Sequence, residues 1–213
     1  MSYNLSKENE TRIICLAKKY HVEKVILFGS RARGDNRPDS DVDLALSGGN
    51  YLELSFDFDD EADDNIKCDV SFLDHELKMD LRASINRDGI VLYEDKIDYE
   101  RRYQLFSEAL NDFSSVLNGD YCAVEIRRVF EVCFEHSWKL VKLLLESHGE
   151  SFDKNVAPSV VIEVACRCGI IEDSLSWREL LDSYNDCGDV KTEYLKRFQD
   201  FKCRVDTMSV ENH

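Results

Sequence analysis

The sequence predicts an α+β domain built on a small sheet, followed by an all-α helical bundle. Three observations predict it. Residues 1–97 alternate between helix-like and strand-like hydrophobic patterns. Residues 98–213 carry 3.6-residue spacing over long stretches. Gly- and Asn-containing stops cut those stretches into four or five helices joined by short loops, the pattern of a bundle. The boundary falls near Glu94–Asp98, giving domains of 1–97 and 98–213.

In the first half, Leu5 to Tyr20 places Ile13, Ile14, Leu16 and Ala17 for an amphipathic leading helix. Lys24-Val25-Ile26-Leu27-Phe28 is a short β-branched run ending at Gly29, which reads as a buried strand. Val42 to Leu46 alternates and stops at Ser47-Gly48-Gly49, a second strand. Lys67 to Phe72 alternates again as a third. Glu76 to Asn86 reads as a helix, Asp88-Gly89 as its stop, and Ile90-Val91-Leu92-Tyr93 as a fourth strand. In the second half, helices are expected over Tyr99–Leu117, Tyr121–Ser147, Ser159–Cys168, Ser176–Tyr184 and Val190–Val205. Pro158 suits a first-turn position. Trp138 and Trp177 are expected as core anchors of this bundle.

Composition narrows the function classes. Against 27 Lys+Arg stand 43 Asp+Glu, a net charge of −16. That acidity argues against general binding to nucleic acid or to an anionic membrane, since both need a basic surface. It leaves a nucleotide ligand open, because a metal ion can supply local positive charge. With 43% hydrophobic residues, a packed core is expected rather than disorder. No apolar run reaches transmembrane length and the start has no signal-peptide core, so a cytoplasmic location is expected. The eight cysteines show no Cys-x-x-Cys pair, so they are expected as reduced thiols, mostly small core residues. The acids are lumpy. Glu53 to Asp64 packs seven into twelve residues, expected as a solvated face, while Arg31, Arg33 and Arg37 form a basic cluster.

That cluster follows a strand that runs into Gly29-Ser30. Glycine lets backbone approach a ligand closely, Ser30 adds a hydroxyl donor, and Arg31 and Arg33 suit phosphate oxygens, with Arg37 more suited to a loop. Downstream, Asp41 and Asp43 are separated by one residue on a strand and therefore share a face. Two such carboxylates repel unless a divalent cation lies between them, and Mg²⁺ is the natural guest beside phosphates. Asp69, in Cys68-Asp69-Val70-Ser71-Phe72, can supply a third carboxylate from a neighbouring strand. Three carboxylates facing a Gly-Ser loop point to metal-assisted nucleotidyl transfer, with two Mg²⁺ ions possible.

At these residues the sequence resembles a known family. Phe28-Gly29-Ser30-Arg31-Ala32-Arg33-Gly34 followed by Ser40-Asp41-Val42-Asp43-Leu44 is similar to the polymerase-β-like nucleotidyltransferases, in their minimal nucleotidyltransferase branch. The resemblance covers residues 10–95 and implies a small mixed-sheet domain. It implies that Gly29 and Ser30 bind nucleotide phosphates and that Asp41 and Asp43 bind Mg²⁺. Asp69 matches the third carboxylate, as metal ligand or as base for the acceptor hydroxyl.

The second half resembles the nucleotidyltransferase substrate-binding helical proteins of the HEPN group. Phe134-Glu135-His136-Ser137-Trp138-Lys139-Leu140-Val141-Lys142 carries that likeness, as do Val161 to Ala165, Gly169 to Asp173 and Trp177 to Leu181. In the likeness, active ribonucleases carry an arginine and a histidine after the Leu-Leu-Asp-like segment. Here Tyr184 and Asp189 stand at those places, so no ribonuclease activity is expected, and Tyr184 is expected as a packed or surface residue. The implied activity is transfer of a nucleoside monophosphate from an NTP, ATP favoured, to a hydroxyl acceptor on a small molecule or protein. Two other readings are a nucleotide-binding regulatory or antitoxin-like module and an aminoglycoside-type drug nucleotidyltransferase. A homo-oligomer is possible.

Overall fold

The computed structural model describes residues 3–50, 54, 57, 67–186 and 189–211. Most of the acidic run Glu53–Asp64 lies outside them, as does Cys187. The chain divides into two compact units, Met1–Lys96 and Ile97–His213.

The first unit is a mixed four-stranded sheet with helices on it. The order along the chain is α1 (Lys7–Lys19), β1 (Lys24–Leu27), α2 (Gly29–Arg33), β2 (Val42–Ser47), β3 (Cys68–Phe72), α3 (Met79–Asp88) and β4 (Ile90–Glu94). In space the strands run β3-β2-β1-β4. β1 is antiparallel to both β2 and β4, while β2 and β3 are parallel. Ser6 caps α1 by accepting the Asn9 N–H at 3.2 Å. Acids in its first turn and lysines in its last suit the helix dipole.

Both faces of the central strands are covered, which is why β1 reads as an unbroken apolar run. Val25, Leu27, Val42, Leu44 and Leu46 pack with Ile13, Leu16 and Ala17 of α1. Ile26, Phe28 and Ala45 point the other way and pack with Leu73 and with Ile85 of α3. By strand alternation Asp43 belongs to this second face.

In this unit one helix starts later than expected. α3 begins at Met79, three residues after Glu76, and runs on to Asp88. Arg82 explains the late start, because it donates to the Leu73 carbonyl (3.2 Å) and the His75 carbonyl (2.9 Å) and holds that connection out of the helix. Gly89 then ends α3 in extended backbone, where a side chain would collide with Ile26 Cγ2 at 2.8 Å.

The second unit is all helical: α4 (Tyr99–Leu117), α5 (Ala123–Ser147), α6 (Pro158–Arg167), α7 (Ser174–Asp186) and α8 (Glu193–Glu211). Asp98 caps α4 through the Arg101 N–H at 2.9 Å, and Glu125 caps the start of α5 through the Cys122 N–H at 3.0 Å. Pro158 occupies the first turn of α6. Phe198 on α8 is fully buried at the centre. Its ring lies 6.4 Å from Phe106, 6.1 Å from Phe113, 6.2 Å from Phe130 and 6.5 Å from Trp177. Trp138 and Trp177 both belong to this core.

Among the described residues all seven cysteines are free. The expectation that most are core residues is corrected: Cys133 alone of these is buried, and Cys15, Cys122, Cys168 and Cys203 are exposed. Cys15 and Cys203 lie on outward faces of α1 and α8, while Cys122 and Cys168 stand at the ends of α5 and α6, just outside them. Among the described residues no helix is long and apolar enough to cross a membrane.

Candidate active site

The site begins where β1 ends. Phe28 leaves the strand in extended backbone and donates its N–H to the Asp43 carbonyl at 3.0 Å, which fixes the chain beside β2. Gly29 then turns with φ +70°, a left-handed value that glycine adopts without steric penalty. A side chain here would lie 2.8 Å from Asp43 Cγ and overlap Oδ2. The glycine is thus required twice, by its own backbone and by the carboxylate above it. Ser30 follows, half-buried, in the first turn of α2.

Two of the three carboxylates named from sequence stand side by side on the sheet, and the third lies just ahead of them. Asp43 and Asp69 are direct register partners on the parallel strands β2 and β3, so their side chains leave the same face. Asp41 lies two residues before Asp43, just ahead of β2. Asp41 and Asp69 are exposed and Asp43 is half-buried. Burial pushes the Asp43 carboxyl above its usual range, and the negative charges of Asp69 and Asp41 push it further. Arg33 and Arg31 partly offset this.

This arrangement fits a divalent cation. All donors are hard carboxylate oxygens, Asp43 and Asp69 leave one sheet face, and burial followed by the neighbouring negative charges raises the pKa of Asp43. Asp41, Asp43 and Asp69 could hold such a cation.

The two arginines of α2 diverge. Arg33 is exposed and pairs with Asp35 and Asp88, each at 3.2 Å. These partners raise its already high pKa. Asp88, at the end of α3, is held at about 2 by Arg87 and Arg33 together. Arg31 is buried instead. Its Nε and Nη2 donate to the Ser40 carbonyl at 3.1 and 2.7 Å, and its Nη1 donates to the Asn4 carbonyl at 3.2 Å. Three of its N–H groups are therefore engaged by backbone rather than turned to solvent. Arg37 is exposed in the loop before Asp41. Sequence reasoning named Asp88 only as part of a helix stop and did not name Asn4. Asp88 stands 55 positions from Arg33, and no local pattern signals the pair.

In the helical unit, Tyr184 is 1% exposed and its ring lies 5.0 Å from Phe134, so it is a packed residue. Asp189 is exposed in the loop before α8. Trp177 also floors an open cleft of about 590 Å³ between the α6–α7 connection and α8. The two arginines on its wall are already paired, Arg197 with Glu179 and Glu193, and Arg204 with Glu172.

Residues 11–98 match the family described as "Polymerase beta, Nucleotidyltransferase". No curated protein matches the chain. Among solved structures, the chain is similar to one described as a toxin-antitoxin with AMP-PNP, at 18% identity and a TM-score of 0.35, covering 52% of this chain and 96% of that one. A mutant of the toxin-antitoxin MntA-HpeT matches at 16% identity, with the same TM-score of 0.35 and the same 52% and 96% coverage. The family match spans the strand, the Gly-Ser turn and all three carboxylates, so the first unit of this chain is a nucleotidyltransferase domain of the polymerase-β type, fused to an all-helical second one.

Proposed function

We propose that the chain transfers a nucleoside monophosphate, AMP favoured, from an NTP to a hydroxyl acceptor on a small molecule or protein, releasing pyrophosphate. The observation that carries this reading is the pairing of Asp43 with Asp69 on one sheet face beside the Gly29 turn, with Asp41 two residues ahead of Asp43. Gly29 and Ser30 offer backbone N–H groups and a hydroxyl to phosphate oxygens, since the first turn of a helix leaves its N–H groups without intrahelical partners. Arg33, exposed and paired with Asp35 and Asp88, adds a positive charge close to the turn. Asp41 and Asp43 hold the Mg²⁺, and Asp69 either joins them or accepts the proton of the attacking hydroxyl. Bound Mg²⁺ would neutralise triphosphate charge and lower the pKa of the hydroxyl. The chain's own part is to orient the triphosphate and to keep three carboxylates preorganised.

A second reading is a nucleotide-binding regulatory or antitoxin-like module. It is favoured by Tyr184, buried where a ribonuclease of the resembled helical group would present an arginine. One experiment separates the two. The protein is incubated with each α-labelled NTP and Mg²⁺ in a lysate of the source cell, and the label is followed. Transfer to an acceptor, lost in Asp41→Asn and in Asp43→Asn, supports the enzyme. Tight NTP binding with no transfer supports the module. Turnover surviving both substitutions sinks the mechanism.

A further inference from the structure

Asp41 precedes β2, outside the regular ladder, and its side chain is exposed. Nothing in its own secondary structure holds it. Its two neighbours are nevertheless fixed. On one side, Val42 N–H donates to the Lys67 carbonyl at 2.8 Å, the first bond that ties this edge of β2 toward β3. On the other, the Ser40 carbonyl receives two N–H groups of Arg31, at 3.1 and 2.7 Å. That carbonyl and the Asp41 N–H belong to one planar peptide group. Holding the oxygen with two N–H groups of one planar guanidinium therefore restrains the plane from which the Asp41 side chain departs.

Arg31 is itself anchored. It is 8% exposed, its Nη1 donates to the Asn4 carbonyl at 3.2 Å, and its own carbonyl accepts the Asn4 N–H at 3.0 Å. The turn leading to Ser40 is closed as well. Ser40 N–H donates to the Arg37 carbonyl at 3.1 Å, and Ser40 Oγ accepts the Arg37 N–H at 2.9 Å. The whole Gly34–Ser40 loop is thus delivered to a fork on the same short helix that carries the Gly-Ser turn.

We infer that Arg31 is a positioning residue: it does not contact phosphate but fixes Asp41 for metal binding through the Ser40 carbonyl. The inference rests on the reading of Asp41, Asp43 and Asp69 as the cation site. A planar guanidinium can place two N–H groups on one oxygen with little loss of freedom, which an ammonium cannot do with the same rigidity. Groups that orient metal ligands change metal affinity by about 10–100-fold when removed.

The test uses the full chain and Mn²⁺ alone, with free Mn²⁺ read by electron paramagnetic resonance and no nucleotide present. Arg31→Lys keeps the charge and the stem but loses the fork. It is expected to fold, to melt a few degrees lower in chelator because part of the fork's bonding is lost, and to bind Mn²⁺ roughly tenfold more weakly. Arg31→Met is expected to bind more weakly still. A purely structural role would lower the melting temperature and leave the affinity alone. Wild-type affinity in Arg31→Lys overturns the inference, as does an Arg31→Lys chain that cannot fold, which would make Arg31 a core residue. Asp43→Asn serves as the control on the underlying reading. If the wild type binds no Mn²⁺, or Asp43→Asn binds it equally well, the cation site itself is wrong. If Asp43→Asn loses binding and Arg31→Lys does not, the role given to Arg31 alone is wrong.

Discussion

Gly29 and Asp43 share one space: the Asp43 carboxylate occupies the volume that a side chain on residue 29 would fill, with Cγ 2.8 Å from the ideal Cβ position. Gly29 also turns at φ +70°. Both facts predict the outcome of Gly29→Ala. The left-handed backbone costs about 1–2 kcal/mol for a residue with a Cβ. The collision then forces Asp43 off its position. Urea unfolding should show a loss of roughly 1–3 kcal/mol, and Mn²⁺ affinity should fall together with it. A variant as stable and as tightly binding as the wild type would show that the turn yields freely.

Asp43→Asn should separate stability from activity. The Asp43 carboxyl is raised in the fold by burial and by Asp69 and Asp41, so the native state holds its proton to higher pH than the unfolded chain does. Stability then falls as pH rises from the unfolded carboxylate range through the raised native value, and the loss is complete above it. Asparagine removes that penalty. In chelator at neutral pH the variant should melt higher by on the order of 2 °C, and the gap should close as pH falls toward about 4. Saturating Mg²⁺ should reverse the order, since a cation present at about 100 times its Kd stabilises the wild type by roughly 2.7 kcal/mol. Nucleotidyl transfer should be lost. Scanning calorimetry across pH, with and without Mg²⁺, checks each part.

The residues that carry this behaviour were unequally legible. Asp41 and Asp43 are two apart on a strand, and strand geometry alone places them on one face. The Lys24–Phe28 run shows a strand covered on both sides, as the two clusters around Val25 and Ile26 are. That Asp69 stands opposite Asp43 depends on how far β3 slides along β2, and one residue of slip would turn it to the other face. Arg31 and Arg33 look alike in sequence, yet one is buried on backbone carbonyls and the other pairs across to Asp88. Two positions on a five-residue helix carry no periodic signal strong enough to tell them apart. The late start of α3 rests on Arg82 reaching back to Leu73 and His75, a contact made only after folding.

Asp88 should prove to be the restraint on Arg33. Its carboxyl is held at about 2 by Arg87 and Arg33. A depressed carboxylate contributes stability that is present above the unfolded value and lost as pH falls through the native one. Wild type should therefore lose this contribution between about pH 4 and pH 2, and Asp88→Asn should show no such loss. The same substitution frees Arg33 from its more buried partner, leaving Asp35. Arg33→Ala should raise the KM for NTP about tenfold, the worth of one charge-assisted bond to phosphate, with a smaller effect on kcat. Unchanged KM in Arg33→Ala would remove this arginine from the phosphate site.

The helical unit stands on Phe198, which is fully buried against four other aromatic rings on α4, α5 and α7. Truncation leaves a cavity that those rings cannot all close at once, because each is packed by further neighbours such as Phe201 and Tyr194. Phe198→Ala should cost about 3–5 kcal/mol. Leu175 on α7 provides the control, since its side chain is 75% exposed. Leu175→Ala should change stability by no more than about 0.5 kcal/mol. Urea titrations followed by helical circular dichroism would compare them. Equal costs for the two substitutions would mean that the bundle does not depend on this aromatic centre.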